Sequence, residues 1–379
     1  MTRAAIAGVA ESDLGAVAEG TTPADLMGQA SLRALADAGL DAADVDGLFA
    51  ASTQLPMATL NLGQYLGIEP RYSDSTQVGG SSFVAHLQHA GAAIAAGLCE
   101  VALIAYGSTQ RLVGRGSASV QEIDPYEAPY RPILPVAAYA LAASRHMHEF
   151  GTTREQLAEV AVAARAWAAM NPKAFKRDPL SVEDVLGAPM VCDPLGLRDC
   201  CLVTDGGGAA VVTSLERAHS LRRPPVAVLG VGEAHSHRHI SGMPDLTRTA
   251  AVASGERAFA AAGLRPADVD VLELYDAFTI TPLLFLEDLG FCAKGEGGAF
   301  VAGGRVAPGG EVPMNTNGGG LSYCHPGMYG LLLIVEAVRQ LRGECGERQV
   351  AGAEVALVHG NGGVLSSQCT AVLGGAATT

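Results

Sequence analysis

Short apolar runs alternate along the chain with longer segments of helical periodicity. The runs at residues 6–11 and 228–233 consist of small and β-branched residues, contain glycine and end in glutamate, which is typical of a buried strand. Helical segments follow them and are terminated by Gly39 and Gly263. This alternation predicts an α/β fold in which a mostly parallel sheet is covered by helices.

The same order of elements occurs twice. Four pairs of similar segments follow one another in the same order, and the separation within a pair grows slowly along the chain. The pairs are residues 6–11 with 228–233, 33–48 with 257–272, 75–80 with 315–320, and 100–104 with 354–358. An ordered set of matches of this kind indicates an internal duplication, so we predict two βαβαβ-type halves.

A helical insertion interrupts the first of these halves. The predicted units are 1–107 and 199–222 for the first half, 108–198 for the helical loop insertion, and 223–379 for the second half. Periodicity over 138–150 and 154–170 predicts two helices in the insertion. We expect the insertion to pack over the active face, where its apolar segment 132–137 is suited to wall a site for a bulky group.

Composition and charge narrow the classes of function. Of 379 residues, 49% are hydrophobic and 17% are charged, which is sufficient for a large interior. The formal net charge of -14 repels a phosphate backbone, so no nucleic-acid partner is expected. We find neither a signal segment nor an apolar stretch of about 18 residues, so we expect a cytoplasmic protein that does not enter the membrane.

The cysteines and histidines do not predict a metal site. Eight cysteines occur without a C-x-x-C pair, and in a reducing compartment such cysteines are expected to be free thiols. Residues 235–239 alternate histidines, which could place several imidazoles on one side of a strand. No carboxylate or cysteine accompanies them at ligand spacing, which favours a solvated loop.

Four short motifs carry the candidate chemistry. They are Thr-Gln-Val-Gly-Gly-Ser-Ser at 76–82, Leu-Tyr-Asp-Ala-Phe at 274–278, Ser-Tyr-Cys-His-Pro at 322–326 and His-Gly-Asn-Gly-Gly at 359–363. Together with the duplication and the insertion, these motifs resemble the thiolase superfamily, specifically its sterol-carrier-protein branch, over essentially the whole chain. The resemblance implies a thiolase fold and a coenzyme A thioester as substrate, with no bound cofactor.

One position departs from the thiolase pattern. Thiolases usually place a nucleophilic cysteine at the start of the helix that the first-half motif opens, and this chain has Val78 there. Valine cannot form a thioester. Cys99, the nearest cysteine of the first half, lies far along the chain and is expected to be a small buried thiol. Ordinary acyl transfer is therefore not expected.

Two tyrosines accompany the loss of the cysteine. Tyr275 stands where thiolases normally carry Asn or His, and the segment 323–326 replaces their Gly-His-Pro. This combination resembles the lipid-transfer-protein aldolases of bacterial steroid side-chain degradation, which cleave a β-hydroxyacyl-CoA by a retro-aldol reaction. The resemblance implies a carbon–carbon lyase that forms no covalent intermediate.

A retro-aldol cleavage needs a base for the β-hydroxyl, a donor for the thioester enolate and an acid for the α-carbon. We assign Tyr275 and Tyr323 as acid and base, in either order, because a phenol with a pKa lowered from about 10 can serve as either. His325 is the candidate donor to the enolate oxygen. The turn of Gly318, Gly319 and Gly320 is the candidate substrate-binding segment, although tight packing explains its glycines equally well.

Other interpretations remain open. Cys324 beside His325 could be the displaced nucleophile of a ketothiolase or acyl-CoA acyltransferase. A third possibility is a non-catalytic subunit whose tyrosines only pack. His359 stands where many thiolases have a second cysteine, but it is not included among the candidate catalytic residues. Asp276 is expected to orient its own loop.

The resemblance also implies partners. Thiolase relatives form dimers or tetramers, and the lipid-transfer-protein aldolases usually work with a small OB-fold partner protein that carries a zinc ribbon. We therefore expect an acyl-CoA substrate with a bulky acyl group, a homodimer and such a partner.

Overall fold

The computed structural model describes residues 3–114 and 123–378, so part of the predicted insertion, residues 115–122, lies outside the description. The strands are β1 Ala4–Glu11, β2 Gly47–Ala50, β3 Tyr72–Asp74, β4 Val101–Ser108, β5 Met190–Cys192, β6 Leu195–Gly196, β7 Gly206–Ser214, β8 Val226–His235, β9 Val271–Leu274, β10 Val355–Gly362 and β11 Ser367–Gly374. The α-helices are α1 Pro23–Ala38, α2 Ala58–Leu66, α3 Ser82–Ala95, α4 Gln110–Val113, α5 Val136–Phe150, α6 Arg154–Ala169, α7 Val182–Leu186, α8 Leu215–Ala218, α9 Ala251–Ala262, α10 Ile280–Asp288, α11 Gly297–Val301 and α12 Gly330–Leu341.

A single nine-stranded sheet runs through both halves in the order β3-β2-β4-β7-β1-β8-β11-β10-β9. The order is symmetric about the antiparallel contact of β1 with β8, where Ile6 pairs with Val226. On each side of that contact follow two antiparallel pairings and then a parallel one, through β7, β4 and β2 or through β11, β10 and β9. This repeat confirms the predicted duplication within an α/β fold.

The expectation of a mostly parallel sheet is wrong. Among the described strands of the large sheet, only β2–β3, β2–β4 and β9–β10 pair in parallel. β10 and β11 are joined by a short turn, and strands joined in this way run antiparallel. The direction of a strand depends on how the chain returns to the sheet, which the alternation of apolar runs and helices does not report.

Equivalent glycines bring a helix close to the sheet in each half. A Cβ atom on Gly8 would lie 2.3 Å from a backbone oxygen of α1, and one on Gly230 would lie 2.2 Å from a backbone oxygen of α9. Each of these helices ends at a glycine in the left-handed region, Gly39 with φ 76° and Gly263 with φ 69°. The matched glycines thus serve the same structural purpose in both halves.

The buried helices α3 and α12 meet near their N-termini. A Cβ atom on Gly330 would lie 2.1 Å from the carbonyl oxygen of Gly80, so only glycine permits this approach. The first-half motif leads through a short 3₁₀ turn into α3, whereas a π-helical turn, Gly319–Tyr323, and a loop precede α12. The matched segments 75–80 and 315–320 therefore differ, because a π-helical turn and a loop separate the second one from its helix.

The insertion contains both predicted helices, α5 and α6, with ends within two residues of the expected ones. Thr153 caps α6, because its side chain accepts the N–H of Gln156 while the Gln156 side chain accepts the N–H of Thr153. None of the described helices is long and apolar enough to cross a membrane.

Candidate active site

A cavity of about 530 Å³ lies where the two halves and the insertion meet. Val78 and Gly79 of the first-half motif form part of its wall, together with Gly327 from the loop before α12, Gly362 at the end of β10 and Gly363 directly after it. Two of the sequence motifs, 76–82 and 359–363, thus contribute residues to the wall of one cavity. A third, 322–326, directly precedes the lining residue Gly327.

The insertion contributes an apolar part of the wall. Leu134 and Pro135 line the cavity, as expected for the segment 132–137. Tyr139, one turn into α5, donates its hydroxyl to the carbonyl oxygen of Gly363 at 3.1 Å and accepts the side-chain N–H of Asn361 at 2.9 Å. The insertion therefore covers the face on which the motifs converge.

Val78 stands immediately before the turn that precedes α3 and lines the cavity. Its backbone is held from both sides, since its N–H donates to Oγ of Ser82 at 2.9 Å and its carbonyl accepts the hydroxyl of Ser81 at 3.0 Å. The position at which the resemblance places a nucleophile is thus fixed by hydrogen bonds and carries an aliphatic side chain.

Tyr275 directly follows β9 and is buried beside the cavity wall. Its hydroxyl donates to the carbonyl oxygen of Gly327 at 3.3 Å and accepts the N–H of Tyr329 at 3.0 Å. Gly80 packs against the ring so closely that a Cβ there would lie 2.6 Å from the hydroxyl. Burial raises the pKa of Tyr275 well above its ordinary value, so the phenol is protonated at neutral pH.

His325 lies between two tyrosine rings. Its ring is edge-on to that of Tyr275, with 5.6 Å between centroids, and stacks on that of Tyr329 at 6.1 Å. Both ring nitrogens are buried and have no hydrogen-bond partner within the described protein. Burial lowers the pKa of His325 to about 4, so the imidazole is neutral at pH 7. A buried, unpartnered imidazole is suited to receive a polar group from a ligand.

Tyr329 is a residue that the sequence analysis missed. Besides its contacts with Tyr275 and His325, its hydroxyl donates to Oδ1 of Asn317 at 2.8 Å. It follows His325 by four residues, just beyond the motif that was compared. Its closeness in sequence to Tyr323 and His325 is a signal that could have identified it as a third aromatic candidate.

Tyr323 is hydrogen-bonded elsewhere and not to Tyr275 or His325. Its hydroxyl donates to Oε1 of Glu11 at 3.0 Å, and Glu11 is also paired with Arg339 and, at 3.0 Å, with Lys173. The two cations hold the pKa of Glu11 well below its ordinary value despite burial. In the part of the chain that the structure covers, no hydrogen bond or ring contact joins Tyr323 to Tyr275, so the two predicted tyrosines do not form a contacting pair.

The three glycines of the turn pack inside the protein. The N–H of Gly320 donates to Oδ1 of Asp276 at 2.6 Å, and the N–H of Gly319 donates to Oδ1 of Asn317 at 2.8 Å. The N–H of Gly318 donates to the carbonyl oxygen of Asn315 at 2.8 Å. All three donors are therefore used internally, and the substrate-binding role of the turn stays a prediction.

Asp276 orients this glycine turn, a segment distant in sequence, whereas the sequence analysis expects it to orient its own loop. A Cβ on Gly319 would lie 2.0 Å from Oδ2 of Asp276, and that oxygen accepts the N–H of Leu321 at 3.2 Å. Burial raises the pKa of Asp276 to about 7. The contact explains why this segment requires glycine: only a residue without a side chain fits against the carboxylate.

His359 has a packing role in this arrangement. Its Nδ1 lies 2.9 Å from Oγ1 of Thr370 and its Nε2 lies 2.9 Å from Oε1 of Gln368, so both ring nitrogens are engaged. Burial lowers the pKa of His359 to about 3. These contacts agree with the prediction that does not count His359 among the catalytic residues.

The alternating histidines begin at the end of β8 and continue into an exposed loop, as expected, but part of this segment also lines the cavity. β8 ends at His235, and His235, His237 and Arg238 all line the cavity. Nε2 of His237 lies 2.9 Å from the carbonyl oxygen of Val364. The described residues include no group of three or more His, Cys, Asp or Glu side chains that could hold a metal ion.

Cys324 is buried away from the cavity wall. Its thiol lies 3.2 Å from Oγ1 of Thr204, and burial raises its pKa to about 12, so it is not a thiolate at neutral pH. None of the described residues that line the cavity is a cysteine.

Comparison with known proteins agrees with this geometry. Residues 232–375 match the family described as Thiolase C-terminal domain-like. The chain is 36% identical to a 17-hydroxy-3-oxo-4-pregnene-20-carboxyl-CoA lyase of Mycobacterium tuberculosis, over 96% of this chain and 98% of that protein. It is 34% identical to an acetyl-CoA acetyltransferase of Methanothermobacter thermautotrophicus, over 96% and 97% of the two chains. A solved structure described as an Ltp2-ChsH2(DUF35) aldolase has a TM-score of 0.88 and 34% identity, with 98% of both chains covered.

Proposed function

Because this chain belongs to the thiolase superfamily, in its sterol-carrier-protein branch, we propose that it is an acyl-CoA retro-aldolase. It would cleave a bulky β-hydroxyacyl-CoA into a ketone or aldehyde and a shorter acyl-CoA. The observation that carries the proposal is the composition of the site: a valine occupies the nucleophile position in the cavity wall, and Tyr275, which is hydrogen-bonded to the cavity-lining Gly327, contacts the ring of His325.

The chemistry follows from the protonation states of these two groups. As a neutral imidazole, His325 can donate one N–H to the thioester oxygen when the Cα–Cβ bond breaks and negative charge moves onto that oxygen. As a protonated phenol, Tyr275 can then give its proton to the α-carbon of the enolate. We assign Tyr275 as the acid and His325 as the enolate donor.

Tyr323 belongs to the proposed site in a different way. Its hydroxyl is held by Glu11, so we propose that it positions the π-helical turn that leads to His325, rather than contacting the substrate. Lys173 and Arg339 anchor the same carboxylate from the insertion and from α12. Tyr323 is therefore proposed as a positioning residue.

The acyl group is proposed to be bulky, and a steroid side chain is one option. Leu134 and Pro135 offer an apolar wall beside a cavity of about 530 Å³. The relative from Mycobacterium tuberculosis is named for a steroid carboxyl-CoA. Both observations support a substrate with a large apolar body and a CoA thioester.

We also propose partners on the same basis. The solved relative is an Ltp2-ChsH2(DUF35) aldolase, which supports a small partner protein for this chain. Purification of the tagged chain from its own cells should yield that partner at a stoichiometric ratio. The homodimer and the cytoplasmic location stay predictions, and light scattering of the purified protein checks the former.

A panel of thioesters tests the function. The protein, with any partner that co-purifies, is incubated with 17-hydroxy-3-oxo-4-pregnene-20-carboxyl-CoA, with shorter β-hydroxyacyl-CoA esters and with β-ketoacyl-CoA esters plus CoA. We expect a ketone or aldehyde and one shorter CoA ester from the hydroxy substrates, identified by mass. Two CoA esters from the keto substrates, without cleavage of any hydroxy substrate, would refute the proposal.

The competing function is acyl transfer. The similarity to an acetyl-CoA acetyltransferase favours it, whereas the site offers no cysteine in the cavity wall among the described residues. A covalent acyl-enzyme on Cys324, detected by mass after mixing with substrate, would establish the transferase instead.

A further inference from the structure

The reaction proposed above lacks a proton acceptor for the β-hydroxyl. Tyr275 is protonated at neutral pH and has the role of acid, and the hydroxyl of Tyr323 is engaged with Glu11. His325 is neutral but, with a pKa of about 4, is a weak base. A further group in the cavity must therefore accept this proton.

His235 is a group in the cavity wall that can do so. It is the last residue of β8 and lines the cavity, with 46% of its side chain exposed. Its Nε2 lies 2.6 Å from Oε1 of Glu233. A carboxylate at this distance accepts the Nε2–H, so Nδ1 is left without a proton and is available as a base.

Glu233 is itself supported from the first half. Its Oε2 lies 3.5 Å from Nε2 of His89, and Nδ1 of His89 lies 2.5 Å from Oδ2 of Asp74. The four side chains form a series of alternating carboxylates and imidazoles that runs from β3 through α3 to β8. This series fixes the orientation of Glu233 and, through it, the ring of His235.

Other charged groups lie near Glu233 and His235. Arg257 of α9 donates to the backbone carbonyl of Glu233, and His237 and Arg238 follow His235 in the cavity wall. Strand β11 lies beside β8, and its residue that pairs with His235 is the uncharged Ser367. Glu233 is therefore the carboxylate that contacts His235 among the described residues.

We propose that His235, oriented by Glu233, is the general base of the retro-aldol reaction; this inference rests on the proposed function. Nδ1 takes the proton of the β-hydroxyl, and the electron pair of that O–H bond forms the new carbonyl. The Cα–Cβ bond breaks, and its electron pair passes to the thioester enolate. Tyr275 protonates the α-carbon, and transfer of a proton from His235 to Tyr275 through solvent restores the resting state.

Two reactions on the same preparation separate the base from the acid. Cleavage of 17-hydroxy-3-oxo-4-pregnene-20-carboxyl-CoA requires both groups, and the retro-aldol reaction of that thioester gives propionyl-CoA as its acyl product. Exchange of the α-hydrogens of propionyl-CoA with deuterated water requires only the enolate and the group that protonates it. Replacement of the base should therefore stop the first reaction and spare the second.

The variants are His235→Gln, Glu233→Gln and, as the matched control, His239→Gln, which changes a histidine of the same segment that is not among the cavity-lining residues. We expect His235→Gln to lower kcat/KM for cleavage by about 10²–10⁴-fold and Glu233→Gln by about 10²-fold, with exchange within about threefold of the parent. The control should retain both reactions. Added imidazole should restore part of the cleavage activity of a His235→Gly variant.

The outcomes are distinct. Cleavage within about threefold of the parent in His235→Gln would overturn the inference and leave the proposed function intact. Equal loss of cleavage and exchange would also overturn it, because His235 would then act on the enolate or on the fold. A parent protein that neither cleaves nor exchanges would refute the proposed function itself.

Discussion

The rings of Tyr275 and His325 stand edge-on to one another, 5.6 Å apart between centroids at an interplanar angle of 85°. The tyrosine hydroxyl is hydrogen-bonded on both sides, whereas neither nitrogen of the histidine has a partner within the described protein. An unpartnered polar ring costs free energy in the empty site, and a substrate oxygen that meets it recovers that cost. The pair therefore defines the place where the thioester is proposed to bind.

Tyr275→Phe tests the proposed acid. We expect kcat/KM for cleavage to fall by about 10²–10⁴-fold, because the proton donor to the α-carbon is lost. Stability should fall by about 1–3 kcal/mol, since the buried N–H of Tyr329 loses its acceptor. Tyr130→Phe, at a tyrosine that is 85% exposed, is the matched control. Turnover that equals that of the control would remove Tyr275 from the mechanism.

Tyr323→Phe distinguishes positioning from proton transfer. We expect kcat/KM for cleavage to fall by about tenfold, less than for Tyr275→Phe, because the hydroxyl of Tyr323 donates to Glu11 and is not proposed to contact the substrate. Urea unfolding and steady-state kinetics on the same variant give the comparison. A loss above about 10³-fold at unchanged stability would mean that Tyr323 transfers a proton itself.

Glu11→Gln should destabilise the protein at pH 7 by about 3–5 kcal/mol, because Arg339 is left in a mostly buried place without its counter-charge. The pKa of Glu11 is lowered on folding, so its contribution is present above its ordinary pKa of 4.5 and is lost as the pH falls below that value. The difference in unfolding free energy between variant and parent should therefore shrink on acidification. A difference that stays constant from pH 6 down to pH 3 would contradict the ionised buried pair.

Buried histidines should make the parent protein less stable in weak acid. Burial lowers the pKa of His86 and of His325 to about 4 and that of His359 to about 3. Between pH 6.5 and these values the unfolded chain binds protons that the folded protein does not, so stability falls as the pH falls through this window. Each histidine should contribute on the order of 3 kcal/mol over the window. Chemical denaturation at a series of pH values measures the slope, and His325→Gln should reduce it.

Cys324→Ala should leave cleavage within about threefold of the parent. The thiol is protonated and buried beside Thr204, so its loss should cost only about 1 kcal/mol of stability. Iodoacetamide should likewise leave the folded enzyme active. An inactive but folded Cys324→Ala variant would instead support the acyltransferase.

The sequence alone determined the duplicated α/β architecture, although not the directions of the strands, and one negative statement about the site: that Val78 replaces the expected cysteine. The duplication was visible because equivalent strands and helices in the two halves need the same small residues, such as Gly8 and Gly230 under their helices. The absence of a cysteine at Val78 followed from local alignment with the glycines of the turn. Such features depend on residues close in sequence, so a linear comparison can detect them.

The tertiary structure decided which candidate residues lie together. Tyr275 and Tyr323 both lie in motifs, but the π-helical turn directs Tyr323 to Glu11, more than three hundred positions away in the chain. His235 was assigned to a solvated loop, and only the pairing of β8 with β11 places it in the cavity wall. Side-chain direction at the end of a strand depends on its neighbours in the sheet, which come from distant segments, and no local pattern encodes that choice.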